Sequence, residues 1–326
     1  MINKDWDKHI KLFLIVILNV IFLKGCYIFL PQKIYFENHN SIVSECRKVK
    51  HELGESCIPP NPQRIIVTDQ ESLESLVALG LKPIATTIAN RVGSKADILK
   101  GKIDGITYLG KESQINIEKL VQLNPDLILG LWINPQEYKL FSQVAPTVSI
   151  GFTETGWKKT FKEMAKIVDR KQEAEKVLEQ YQQRIEKLKL AFAQKPEKPE
   201  ITVMRFYTDL KFTQFLNQKS FPVAILEELN LSIPLAQRQL NNSTVSYENV
   251  SLERVDLLEA DAMFIALDPG AEENFQKYKT SRLWQTLNVV QKNRVYTVNS
   301  SYWIFGSVLS ANAVLDDIVK YLLSNA

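Results

Sequence analysis

Histidine and cysteine are scarce in this 326-residue chain, and most of it has neither. His9, His39 and His51 and Cys26, Cys46 and Cys57 all precede residue 58. Without an imidazole or a thiolate, residues 58–326 cannot assemble a Ser-His-Asp triad, a Cys-His pair or a zinc site. Glycine is sparse as well. The 12 Gly are scattered and form neither a G-x-G-x-x-G nor a G-x-x-x-x-G-K-[ST] phosphate loop. Charge of either sign is nearly balanced, 40 Lys plus Arg against 37 Asp plus Glu for a net +3, and no basic stripe supports nucleic-acid binding. What remains is an ordinary globular composition, 45% apolar and 24% charged, long enough for two domains. The body reads as one that binds something without transforming it, with no catalytic residue and no metal ligand of its own.

The N-terminus carries an export pattern. Lys4, Lys8 and Lys11 precede an apolar run over residues 12–23 that only Asn19 interrupts. A basic segment followed by about 7 to 15 apolar residues describes a secretory signal, and twelve are too few to span a bilayer. The run ends in Leu23-Lys24-Gly25-Cys26, which resembles a bacterial lipobox with lipid attachment at Cys26. Lys24 departs from that pattern, and residues 27–30 continue the apolar character, so an uncleaved anchor over residues 12–30 is the rival reading. Both readings tether the body to the membrane outside the cytoplasm. In that compartment Cys46 and Cys57, with ten residues between them, read as a disulfide worth about 3 kcal/mol on the chain-entropy model. A metal pair using His51 falls short of a closed tetrahedral site.

From Pro62 onward, strands and helices alternate. Residues 64–67, 126–129 and 146–150 read as strands, 83–88 as extended, and 72–79 and 116–123 as helices. Trp157, Phe161, Met164, Ala165 and Val168, then Ala174, Val177, Leu178, Tyr181, Ile185, Leu188 and Phe192, follow helical spacing. Asp169-Arg170-Lys171 interrupts this pattern, and Pro196 with Pro199 stops it. The second piece, about 22 residues, spans roughly 33 Å. A second set follows, with strands over 201–204, 262–266 and 295–298 and helices over 222–229 and 310–323. The fold class reads as α/β, two Rossmann-like lobes joined by one long helix. The expected layout is a leader or anchor over 1–26, a linker with the disulfide over 27–60, a lobe over 61–168, the connecting helix over 169–195 and a lobe over 196–326.

The halves share a local pattern. Asn116-Ile117-Glu118-Lys119-Leu120 corresponds to Ser251-Leu252-Glu253-Arg254-Val255, each running into an aspartate and a strand. The offset is 253 − 118 = 135 for the acids and 261 − 126 = 135 for the aspartates. Taken singly, each glutamate is explained by the dipole at a helix start, worth about 0.3 to 1 kcal/mol. Taken as a pair, they are matching acidic studs.

Pro62-Gln63-Arg64-Ile65-Ile66-Val67, Leu79-Gly80-Leu81-Lys82-Pro83, the 116–120 motif leading to Asn124-Pro125-Asp126-Leu127-Ile128, and Asn293-Arg294-Val295-Tyr296 together resemble the periplasmic iron-siderophore and cobalamin binding proteins of ABC importers. The likeness runs from about residue 59 to 323, nearest the ferric-hydroxamate and ferric-citrate branch. It implies two lobes on one helix, ligand in the cleft, only a modest closing motion, and Glu118 and Glu253 docking onto arginines of a permease dimer. It also implies a ligand that is an already chelated Fe(III) complex, a ferric siderophore, with no covalently bound cofactor.

Such a ligand calls for an aromatic-walled pocket with a few cations. The candidates lie after strands: Arg91, Trp132, Arg205 with Tyr207, and Tyr302 with Trp303. Phe206, alternating with Arg205, reads as core, as do Trp157 and Trp284. Cobalamin is the alternative ligand, and haem is possible only through tyrosine ligation. A remoter alternative is an extracytoplasmic enzyme using Asp268 and Glu272, but Asp268-Pro269-Gly270-Ala271-Glu272 reads as a solvated turn.

Overall fold

The computed structural model describes residues 46–90, 97–207, 212–240 and 244–323. The proposed export segment, Cys26 and Arg91 lie outside the described residues. The thirteen strands among these are β1 (Arg47–His51), β2 (Gly54–Ile58), β3 (Ile65–Val67), β4 (Ala85–Ile88), β5 (Thr107–Lys111), β6 (Gln114–Ile115), β7 (Leu127–Gly130), β8 (Thr147–Ser149), β9 (Ile201–Phe206), β10 (Thr213–Leu216), β11 (Tyr247–Val250), β12 (Ala262–Leu267) and β13 (Val295–Asn299).

Strands β1 and β2 form an antiparallel hairpin, and a Cys46–Cys57 disulfide with Cα atoms 5.3 Å apart joins its two arms. Other bonds seat this hairpin on the first lobe. The Ser56 hydroxyl donates to the Thr147 carbonyl at 2.6 Å, and the Arg47 guanidinium donates to the carbonyls of Lys166 and Ile167. Arg47 thus satisfies two of the orphan acceptors at the end of helix Trp157–Ile167.

The first sheet runs in the order β6-β5-β4-β3-β7-β8 and is parallel except for β6. The second runs β11-β10-β9-β12-β13. There β9, β12 and β13 are parallel, but β10 and β11 add an antiparallel edge that the alternation of strands and helices does not reveal. The central strands are buried along their whole length, as their predominantly apolar runs require when helices cover both faces.

The repeated aspartates do the same work in both sheets. Asp126, just before β7, accepts the backbone N–H groups of Gln63 and Arg64 at 2.7 and 2.9 Å as the chain enters β3. Asp261, just before β12, accepts the N–H of Glu200 at 2.8 Å as the chain enters β9. In each lobe one carboxylate clips the start of the neighbouring parallel strand.

Helix Trp157–Ile167 ends with Val168 as its C-cap, Asp169 breaks the helical path with a φ of 54°, and the 23-residue helix Lys171–Ala193 follows. Its buried stripe is Ala174, Tyr181, Ile185, Leu188 and Phe192. The halves also meet directly. Helix Gln70–Ala78 lies against the segment leading into helix Val308–Ile318, where Ser75 Oγ donates to Ser307 Oγ at 2.8 Å. The approach is close enough that a Cβ on Gly306 would come within 2.1 Å of the Ser310 Cβ, so only glycine is accommodated.

Candidate ligand-binding cleft

At the carboxyl ends of the parallel strands, the two lobes enclose adjoining cavities of about 470 and 680 Å3 that share Trp132, Arg205 and Phe305. Ligands of open α/β sheets bind at this end. Other hollows are placed differently. One of about 470 Å3, between Pro199, Arg294 and Tyr321, adjoins the residues that enter the strands, and one of about 430 Å3 adjoins the disulfide hairpin.

Arg205 is the penultimate residue of β9. Strand alternation sends Phe206 into the core, 5.1 Å from the Phe275 ring, and leaves Arg205 on the cleft side, where only 9% of it is exposed. Asp268, the residue after β12, holds the guanidinium with two bonds: Nε donates to Oδ1 at 3.1 Å and Nη2 to Oδ2 at 2.8 Å. The Tyr207 ring centroid lies 4.2 Å from the Arg205 Cζ, close enough for a cation–π contact. Burial raises the Tyr207 phenol to about 12, partly offset by the Arg205 charge, so it enters the cleft as a neutral donor.

Trp132 follows β7 and is 58% exposed despite its size. Its ring packs edge-on against Phe152 at 5.2 Å, which fixes its orientation and leaves an indole face bare. Trp132, Arg205 and Tyr207 therefore meet in one cleft. Arg91, the remaining candidate on the first lobe, lies outside the described residues.

Tyr302 and Trp303 require correction. A loop was expected after β13, but Asn299 accepts the N–H of Ser301 at 2.9 Å and starts a helical turn over Ser300–Trp303. That turn rotates Trp303 inward. It has 0% exposure, stacks 4.6 Å from Phe264 and donates its indole N–H to Asp317 Oδ2 at 2.8 Å. Tyr302 donates to the same oxygen at 3.0 Å. The aromatic that reaches the cleft from this segment is Phe305.

Asp268 also differs from its expected place in a solvated turn. It is buried and ion-paired to Arg205, whereas Glu272 is exposed at the start of helix Glu272–Lys279. That commitment removes the free acid that the enzymatic alternative required.

Two cleft carboxyls were not anticipated. Asp69 caps helix Gln70–Ala78 and also accepts the N–H of Leu131 at 2.8 Å; burial pushes it up to about 7. The Asp69-x-x-Ser72 spacing announces the cap, but nothing local announces the burial. Glu154, pushed up to about 6 by burial, accepts the N–H of Phe221 from the other lobe at 3.1 Å.

The matched glutamates are exposed. Glu118 sits in the first turn of helix Ile117–Gln122, which Asn116 caps through a 2.9 Å bond from the Lys119 N–H. Glu253 occupies the first turn of the 3-10 segment Leu252–Leu258, where hydrogen bonding from Ser251 holds its carboxyl below the usual range.

Two α/β lobes on one long helix, with an aromatic-walled cleft at the strand ends, define a two-lobed ligand-binding protein. The chain belongs to the periplasmic binding protein family, whose model matches residues 65–302. It is 28% identical over 327 residues to the probable siderophore-binding lipoprotein YfiY of Bacillus subtilis (strain 168), covering 97% of this chain and 98% of that protein. It is 29% identical over 267 residues to the achromobactin-binding periplasmic protein of Dickeya dadantii (strain 3937), covering 79% and 86%. Its fold is similar to that of Staphylococcus aureus SirA complexed with staphyloferrin B, with a TM-score of 0.74 and 23% identity over 85% of this chain and 98% of that one.

Proposed function

We propose that the protein captures a ferric siderophore outside the cytoplasm and delivers it to the permease of an ABC importer, without catalysis. The cleft carries this reading: a bare Trp132 face, Tyr207 and Phe305 surround a buried arginine between two lobes. A chelate presents iron already coordinated, so the protein needs aromatic surface and a directed cation rather than metal ligands. Relatives named for siderophores, similar over most of the chain, support the ligand class.

In this reading Trp132, Arg205 and Tyr207 contact the ligand, with Arg91 as a further contact. Residues 61–168 and 196–326 act as the lobes about the 169–195 helix, Glu118 and Glu253 dock the permease dimer, and lipid on Cys26 or an uncleaved anchor holds the protein at the membrane. The test is tryptophan quenching with ferric dicitrate, ferrioxamine B and cobalamin. A saturable nanomolar-to-micromolar response to a ferric chelate and none to cobalamin is expected. A response to cobalamin alone overturns the reading.

A further inference from the structure

Arginine offers five N–H donors in a planar fork. Asp268 takes the side formed by Nε and Nη2 of Arg205, and among the described residues Nη1 has no partner. The ion pair is about nine-tenths buried on both sides, the Arg205 Cζ lies 4.2 Å from the Tyr207 centroid and 5.9 Å from that of Phe305, and Arg205 lines both cavities. Asp268 itself is fixed by its backbone, since its N–H donates to the Phe206 carbonyl at 3.1 Å beside the β9–β12 register.

We infer that Asp268 is a positioning residue: it holds the Arg205 guanidinium so that the Nη1/Nη2 edge faces the cleft as a fork for a carboxylate of the bound chelate. This inference rests on the ferric-chelate reading above and adds the group recognised. A carboxylate is planar with two oxygens at the spacing of that edge, so two parallel N–H···O bonds form only if the guanidinium plane is held. Asp268 already balances the Arg205 charge. The fork therefore acts by direction more than by field, and affinity for a carboxylate-bearing chelate is expected to depend little on salt in the wild type.

The test compares ferric dicitrate, which carries carboxylates, with ferrioxamine B, which coordinates iron through hydroxamates and has none. Asp268→Asn is expected to weaken ferric dicitrate at least tenfold and to make the remaining binding salt-sensitive, because the Arg205 charge is no longer balanced, while ferrioxamine B changes less than about twofold. Asp268→Glu is expected to restore part of the dicitrate affinity. If Asp268→Asn does not fold, Arg205→Lys, which keeps the charge and removes the fork, is expected to weaken ferric dicitrate by a larger factor than ferrioxamine B.

Unchanged dicitrate binding in these variants overturns the inference. So does an equal loss of both chelates in a folded variant, which marks Asp268 as merely structural. A wild type that binds ferrioxamine B but not dicitrate overturns the carboxylate assignment and leaves the parent reading standing. A wild type that binds neither chelate overturns the parent reading and this inference with it.

Discussion

Glu74 and Ser310, 236 residues apart in sequence, meet at 2.7 Å in the buried seam between the lobes. The Ser310 hydroxyl donates to Glu74 Oε2, which also accepts the N–H groups of Ser307 and Ser310 at 3.1 and 3.3 Å. A carboxylate of the first half thereby caps helix Val308–Ile318 of the second. Its other oxygen accepts from Gln70 Nε2 at 2.8 Å, and Gln70 also donates to the Ser301 carbonyl at 2.8 Å.

This seam predicts a pH dependence of stability. Burial pushes Glu74 up to about 7, with the neighbouring Glu71 adding to the rise and the Gln70 and Ser310 donors opposing it. A carboxyl raised from 4.5 binds its proton more tightly in the folded state. Its contribution is complete below about 4.5 and is lost as pH rises through about 7, at roughly 1.4 kcal/mol for each pH step of one between those values. Glu154, raised to about 6, acts in the same direction. Calorimetric Tm should fall between about pH 4.5 and 7 more steeply in the wild type than in Glu74→Gln, which keeps the shape but cannot ionise. Parallel Tm curves would show that Glu74 does not titrate in this range.

Trp132 and Trp303 should separate binding from folding. Trp132→Ala removes an exposed cleft wall, so ferric-chelate affinity should drop about tenfold, as expected for one lost aromatic anchor, with Tm nearly unchanged. Trp303→Ala deletes a fully buried ring and leaves Asp317 with Tyr302 as its hydrogen-bond donor, a loss on the order of 3 to 5 kcal/mol. Thermal melts beside titrations decide the matter, and a Trp303 variant that melts normally contradicts the assignment.

The two aspartate clips should cost similar amounts. Asp126→Ala leaves the Gln63 and Arg64 N–H groups without an acceptor, and Asp261→Ala does the same for Glu200. Because water reaches these exposed sites, each change should destabilise by only about 1 kcal/mol. Denaturant midpoints of the two variants should shift alike, as the shared role predicts.

Local chemistry explains which features were legible in the sequence. Residues 65–67 are continuously apolar, residues 201–204 are apolar apart from Thr202, and they lie in the buried strands β3 and β9; the 135-residue offset marks Asp126 and Asp261 as equivalent, and the structure adds that both clip a neighbouring strand. Tyr207 and Trp132 lie just beyond strands β9 and β7 and line the cleft by a rule of topology, whereas Arg205, expected after the strand, is the penultimate residue of β9 and lines the cleft by strand alternation. What failed depended on partners distant in sequence. Asp268 looks solvated until β12 pairs with β9 and brings it to Arg205. Glu74 sits on a helix face with nothing nearby in sequence to cover it, and a segment more than 230 residues away buries it. Trp303 was misplaced by a single helical turn, because Asn299 caps that turn and a rotation of the backbone there decides which aromatic faces the cleft.

Glu118 and Glu253 supply the last prediction. Each is exposed in the first turn of a helical segment that precedes a central strand, β7 or β12, so the internal repeat places one acid on equivalent ground in each lobe. Exposed charges of this kind contribute little to stability, and neither residue lines the cleft. Replacing both with alanine should therefore leave Tm and ferric-chelate affinity unchanged. Docking is a different matter, because paired charges at the rim of an interface steer encounter and fix orientation, and their loss falls mainly on the association rate. Reconstituted uptake should fall steeply in the double alanine variant and further in Glu118→Lys with Glu253→Lys, where attraction becomes repulsion. Each single variant should retain part of the transport, since one lobe still engages. Binding of the wild type to permease-containing vesicles should weaken as salt rises, whereas binding of the double alanine variant should be nearly insensitive to it. Normal uptake by the double variant would remove the docking role and leave both acids as dipole partners of their own helices.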